Sequence, residues 1–452
     1  MCDLRSRRQR GELKAQGRRP TLLLVVLAGT LSACTLPDVD QGETPPADAF
    51  AEPVTVSALP FDLDRERGNA GVFVQDNLWT RARTQYAVWV RPSGAVVVGK
   101  RRLPDGRWST FDFSRIEGNP LALPTADDAH NVYAVAVDEA GYVHIAGNMH
   151  ADPLRYVRSE KPGDITSWVV GTMIGSEESS VTYPAFVRGA DGRLLFFYRD
   201  GVAGNGDVYL NAWEAKERRW RRVAKLLDGR ASGESPYLHH VAVDDLGRIH
   251  VMYEWRATSN RTTTSDLSYA RSSDGGRTWE RSDGSPLPAP ITHADSELAL
   301  DTAASGSGLV NSGGLEADRS GRPHAAALVD GELLHVWHDG RRWRDEKVPL
   351  PATGASRPSV LVSDSGEVFV LAQIRGTGTP GIIWLLEVTP GREDRREIPL
   401  RELPVDGWEP SFDTRALYQD DHLRLLLPAG SSRGEPGEVL DFDLARLGEG
   451  VE

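Results

Sequence analysis

From about residue 70 onward, short apolar runs alternate with tight turns that end in glycine. VYAVAVDEAGYVHIAGN surrounds Gly141, PAFVRGADGRLLFFY surrounds Gly192 and HVAVDDLGRIHVMYEW surrounds Gly247. The unit returns as LEADRSGRPHAAALV at Gly321 and VLVSDSGEVFVLAQI at Gly366, with an earlier copy at Gly94. Alternating or continuous apolar runs on either side of an Asp/Gly turn predict β-hairpins. A second hairpin finishes on tryptophan, at Trp108, Trp168, Trp220, Trp279 and Trp343, recurring every 52 to 64 residues. Residues 207–228 lack glycine and proline and mimic a helix. Aligning VYLNAWEAKERRWRRV with LLHVWHDGRRWRDEKV predicts another hairpin there instead.

Two hairpins per repeat describe a four-stranded propeller blade. Residues 61–446 hold six to seven such units, so the expected fold is an all-β propeller of seven four-stranded blades. Composition agrees: 45 Gly, 28 Pro and 12 Trp in 452 residues suit turns and hairpins, not long helices or coiled coils. Ser272-Ser273-Asp274-Gly275-Gly276-Arg277-Thr278-Trp279 matches the Asp-box pattern of sialidase-like propellers. That pattern is a structural turn, and no catalytic role is expected for Asp274.

The first 33 residues carry seven basic and two acidic side chains, then the apolar run Leu22–Ala28 and Leu31-Ser32-Ala33-Cys34. A basic start, a short apolar core and small residues before the cut read as an export signal, too short to span a bilayer. The ending resembles a bacterial lipobox, which implies cleavage before Cys34 and its lipidation. Residues 34–60, rich in Pro, Asp, Glu and Ala, are expected to be a flexible tether. The expectation is an exported lipoprotein of the outer membrane, on its periplasmic face or at the cell surface, held by lipid alone. Removing the signal takes the formal charge from −13 to −18, which argues against a nucleic-acid partner. With only two cysteines there is no disulfide framework. A monomer is expected.

Hairpin geometry selects a candidate site. Opposed residues in an antiparallel hairpin are equidistant from its turn. The turn at Ala140-Gly141 sets His130 against His150, and the turn at Ala190-Asp191 sets Tyr183 against Arg199. The turn at Leu246-Gly247 sets Tyr237 against Glu254, Trp255 or Arg256. Three consecutive blades thus place titratable or aromatic residues at the same end of their first hairpin, which opens on one face around the channel. Singly, each has a plainer role: His130 bonding a neighbouring Asp, His150 capping a strand, Tyr183 packing, Arg199 pairing with Asp200.

Asp128-Ala129-His130-Asn131 leading to Gly147-Asn148-Met149-His150, and Thr182-Tyr183-Pro184 leading to Tyr198-Arg199-Asp200-Gly201, resemble the BNR-repeat (Asp-box) propeller family that includes the ulvan lyases. The resemblance covers most of residues 70–400. It implies a propeller, and a polysaccharide lyase acting on an acidic polysaccharide through His130, His150, Tyr183 and Arg199. Asn131, Tyr237, Trp255 and Arg256 are then the expected substrate contacts. In β-elimination a guanidinium grips the uronate carboxylate, a base takes the C5 proton and an acid protonates the leaving oxygen at C4. Tyr183 and His130 are the expected pair for the two proton transfers, in either order, with the Tyr183 pKa lowered by Arg199. His150 helps to hold the carboxylate or to orient His130. Tyr237 and Trp255 are expected to stack on sugar rings, and Arg199, Arg256, Arg357 and Arg375 to make the mouth locally positive. A sialidase-like glycoside hydrolase, with carboxyls from Asp127, Asp128 or Glu254, and a non-catalytic glycan-binding propeller are the alternatives. His239, His240, His293 and Asp295 are candidate ligands of a structural Ca²⁺ or Zn²⁺, although no spacing matches a dedicated motif.

Overall fold

The structure is a computed structural model, in which residues 44–64, 76–122, 128, 130–376, 380–403, 407–429 and 435–448 are described. The signal segment, Cys34 and Asp127 lie outside these residues. The described residues form seven antiparallel sheets, the blades of a β-propeller. Four of the expected tryptophans mark where the outermost strand of a blade begins, and Trp279 begins a strand that only Pro286–Leu287 flanks on the outside. Trp108 immediately precedes Ser109–Asp112, and Trp168, Trp220, Trp279 and Trp343 lie in Trp168–Gly171, Arg219–Asp228, Trp279–Glu280 and Trp343–Lys347. The helix-like stretch at 207–228 is indeed a hairpin, Asn205–Glu214 paired with Arg219–Asp228.

The blades depart from a uniform four strands, ranging from three in the last to six in the fourth. Two departures have clear causes. Blade three gains an inner strand because His150–Asp152, from the chain of blade two, pairs with Val181 and Thr182. Blade seven contains His422–Pro428, Pro436–Asp443 and, from the other end of the chain, Thr55–Asp62. That strand begins inside the segment expected to be tether, and it closes the ring. Its Leu59 joins a buried cluster with Trp89, Leu371 and Leu440, drawn from blades one, six and seven. Each such fully buried apolar side chain contributes about 1.5–3 kcal/mol.

A pattern Asp-x-x-Gly-x-x-His recurs at Asp138/His144, Asp244/His250 and Asp318/His324. The glycine is required by the turn: Gly247 has φ +79°, and a Cβ there would come within 2.4 Å of Ala190. Each histidine is buried and spans its blade. His144 meets the Tyr156 hydroxyl at 2.7 Å, His250 that of Tyr269 at 2.6 Å, and His324 the His335 ring at 3.0 Å. Their other nitrogens face Asp138, Asp244 and Asp318. Burial pushes all three imidazoles below their ordinary pKa. These histidines staple turn, second strand and third strand together, and they are spent on the fold.

Candidate active site

Neighbouring blades meet through their inner strands, and the segments just ahead of these strands gather on one face. Side-chain bonds link them around the axis. Arg256 donates to Asn311 Oδ1 at 2.9 Å, Arg357 to the Asn311 carbonyl at 2.6 Å and to Glu409 at 2.6 Å, and Ser411 to Asn77 at 3.2 Å. His130, His150, Tyr183 and Arg199 belong to this polar rim, as the hairpin geometry predicts.

The His130 and His150 rings stack with centroids 3.8 Å apart and planes 12° apart. Asp128 ties them together. One oxygen meets His130 Nδ1 at 2.7 Å and accepts its backbone N–H at 2.9 Å, while the other meets His150 Nδ1 at 2.5 Å. The plain role foreseen for His130, bonding a neighbouring Asp, is therefore real, and the same bond fixes its ring orientation. Burial would raise the Asp128 pKa, but the His130 backbone N–H and the two imidazoles outweigh it and hold the carboxyl at about 2. Burial, reinforced by His150, lowers the His130 pKa against the opposing pull of Asp128. Asn131 is buried beside them, its N–H bonded to the Asp128 carbonyl.

Tyr183 and Arg199 meet by a different route from the one expected. The register shifts between Thr182 and Ala185, so that Thr182, not Tyr183, stands opposite Arg199. Pro184 has no N–H for the ladder, and Tyr183 takes a left-handed φ of +60°, making a bulge. That conformation costs a non-glycine residue about 1–3 kcal/mol, and such strain collects at functional sites. Asn148 and Ala151, flanking His150, and Ser312 on the same rim share it. The bulge brings the Tyr183 ring to 4.9 Å from the Arg199 guanidinium and 5.9 Å from the His130 ring.

The expectation that Arg199 lowers the Tyr183 pKa is reversed. Burial pushes it up to about 12, outweighing the opposing charges of Arg199, Arg256 and Arg357. Tyr183 is a phenol, not a phenolate, at neutral pH.

Arg199 is 3% exposed. Its Nη2 reaches Thr182 Oγ1 at 3.4 Å, while Nε and Nη1 have no hydrogen-bond partner among the described residues. The plainer pairing with Asp200 does not form, because Asp200 is held by Arg230 at 2.7 Å and by the Ser180 N–H. The guanidinium instead lies between aromatic faces, 4.9 Å from Tyr183 and 4.7 Å from Tyr237. A buried cation without a carboxylate is costly to maintain, and its unused N–H groups suit an incoming anion.

The expected sugar contacts in blade four need correction. Tyr237 stands opposite Glu254, as foreseen, but is 2% exposed, wedged between Arg199 and Arg256. Trp255 is wholly buried on the other side of its strand, stacked on His293 at 5.1 Å and donating to Ser296. Neither ring offers a face to a sugar. Arg256 spends its guanidinium on Thr264, the Tyr237 hydroxyl and Asn311, so it braces the site. Of the other expected mouth cations, Arg357 is part-buried on the rim and Arg375 is exposed at a strand end.

Among the described residues, His239, His240, His293 and Asp295 do not converge on one point. His239 is buried against Glu254. His240 is buried, its pKa pushed down to about 4 by burial. His293 lies between Glu234 and Asp266, and Asp295 accepts from the N–H and hydroxyl of the N-cap residue Thr292. Asp128, by contrast, is a site residue whose role in anchoring both imidazoles the hairpin reading did not assign.

A model of the BNR repeat-containing family matches residues 84–349, more than half of the chain. The protein belongs to that family. A 128-residue stretch of this BNR repeat-containing chain is 28% identical to the short isoform of an ulvan lyase from Alteromonas sp. (strain LOR). The match covers 26% of this chain and spans about a quarter of that curated relative, 24%. The crystal structure of the polysaccharide lyase Uly1 superposes with a TM-score of 0.68 at 17% identity, covering 87% of this chain and 100% of that one. The PL25 ulvan lyase bound to -[GlcA(1-4)Rha3S]- gives 0.66 at 16% identity over the same shares. These structural likenesses establish the propeller.

Proposed function

We propose that this BNR-repeat protein is a polysaccharide lyase cleaving a uronate-containing, ulvan-like polysaccharide by β-elimination. The observation that carries the reading is Arg199: a buried guanidinium with unused N–H groups, beside a protonated tyrosine and a stacked histidine pair. Arg199 binds the uronate carboxylate and stabilises the negative charge that develops as the C5 proton leaves. His130, whose lowered pKa keeps it neutral, takes that proton. The C5–H electrons form the C4–C5 double bond, the C4–O bond breaks, and Tyr183 delivers its proton to the leaving oxygen. Asp128 orients His130 and His150, and His150 steadies the carboxylate. Kinship to an ulvan lyase, and the acidic oligosaccharide held by a structural neighbour, support the substrate class.

Of the carboxyls named for the glycosidase alternative, neither Asp128 nor Glu254 is available. Asp128 is engaged by both imidazoles, and Glu254 is fully buried, accepting from the Ser312 N–H. Incubation with ulvan and other uronate polymers tests the reading. Ultraviolet absorbance from unsaturated ends is expected, with Arg199→Ala inactive. Saturated ends mean hydrolysis, and intact polymer retained on the protein means a binding module.

The lipobox-like segment supports an exported protein anchored by lipid at the outer membrane, and the chain's anionic charge disfavours nucleic acid. Among the described residues no helix is long and apolar enough to cross a membrane. Radiolabelled fatty acid incorporation, lost in Cys34→Ser, tests the anchor.

A further inference from the structure

We infer that Asp128, His130 and His150 form a binding site for a divalent transition ion of the Zn²⁺ class, and that the ion switches the site off. The second half rests on the lyase reading; the first does not. The three side chains each offer a ligand atom within 4.8 Å of the others. Both Nδ1 atoms already face the two oxygens of one carboxylate, at 2.7 and 2.5 Å. An ion with metal–ligand distances of about 2.0–2.2 Å needs these atoms near 3 Å apart. His150, with 41% of its side chain exposed, can tilt to open that gap.

Two imidazoles and one carboxylate with an open side toward solvent suit Zn²⁺, Co²⁺ or Ni²⁺. They do not suit Ca²⁺, which takes six to eight oxygens. The opposing charge is Arg199, and the Asp128 carboxylate, facing both imidazoles, supplies the anion that offsets it.

Occupancy has a definite chemical consequence. A neutral imidazole bound through Nδ1 carries its proton on Nε2, so His130 keeps no lone pair with which to accept a proton. The ion also takes the Asp128 oxygens that orient the pair. The metal is therefore an inhibitor here, not a cofactor.

The test is titration of the purified protein with Co²⁺ alone, read by visible absorption. One equivalent is expected to bind, to be displaced by Zn²⁺ and to be untouched by Ca²⁺. His150→Ala, an exposed position that leaves the fold intact, and Asp128→Asn should each weaken binding at least tenfold, while His293→Ala should not. Undiminished binding in His150→Ala, or no binding at all, overturns the site. Zn²⁺ should then suppress release of unsaturated ends, and chelator should restore it; full activity with the site loaded overturns the switch. Binding without any lyase activity in the metal-free protein would sink the lyase reading and leave the metal site standing.

Discussion

His130 and His150 stack face to face at 3.8 Å while sharing the carboxylate of Asp128. Burial and the adjoining His150 ring lower the His130 pKa, against the opposing pull of the Asp128 carboxylate. The stack is thus a two-histidine unit with one counter-ion. Asp128→Asn should keep the fold but lower kcat/KM by about 10²–10⁴-fold, because the amide neither balances the charge nor fixes both rings. Steady-state ultraviolet assays on ulvan, with circular dichroism as the control for folding, check this. Wild-type rates in the variant would remove Asp128 from the mechanism.

The pH profile follows from the two shifted groups. His130 sits below its ordinary 6.5, so in chelator-treated protein the rate should climb along an acid limb centred below 6.5 and then level off. Tyr183, pushed up to about 12, keeps its proton through the alkaline range, and no alkaline limb is expected until the pH approaches that value. Stability has the matching sign. Unfolded His130 takes up its proton near 6.5 and folded His130 only at lower pH, so acidification below 6.5 favours unfolding. A profile falling between pH 7 and 9 would contradict a phenol as the acid.

Asp274 belongs to the fold. It accepts from the Arg277 and Thr278 N–H groups and from the Thr278 and Ser272 hydroxyls, closing the turn that ends on the buried Trp279. Asp274→Ala should cost about 1–2 kcal/mol of stability in a denaturant titration and leave kcat/KM unchanged. A large loss of activity at unchanged stability would move Asp274 into the site.

Asp76 gives a second stability test, outside the proposed chemistry. Burial raises its pKa from 3.8 to about 8, against the bond from Thr414. The folded chain therefore holds a proton that the unfolded chain has released, and stability falls as pH rises from about 4 to about 8. Asp76→Asn keeps an acceptor for Thr414 and removes the penalty. Its melting temperature should fall less across that window than the parent's, by the equivalent of at least ~1 kcal/mol. Parallel curves would show that Asp76 is ionised in the folded state.

The repeating hairpins, the tryptophan spacing and the facing of His130 on His150 were legible because they depend on turn position and strand period alone. What escaped was local. The bulge at Tyr183-Pro184 changes the register by one, so Tyr183 reaches Arg199 through its side chain and not across the ladder. A similar shift, between Leu238 and Val241, lies within the hairpin that carries Trp255. Alternation says that Trp255 and its neighbours Glu254 and Arg256 face opposite ways, but not which way faces the channel. The direction of the Tyr183 shift does not follow from the sequence, where only the nearby charge is visible; the burial that outweighs it belongs to the assembled ring.

The closure of blade seven also sets an order of assembly. Thr55 pairs with Asp441, so one of the earliest strands to be synthesised waits for one of the last. Bringing such distant segments together is slow. Until it happens, the edge of Pro436–Asp443 that Thr55–Asp62 covers lies open, a template for pairing with another chain. Full-length chains in which Thr55–Asp62 has not yet docked, or from which it has been clipped, would therefore be the sticky ones, and closing the ring removes that edge.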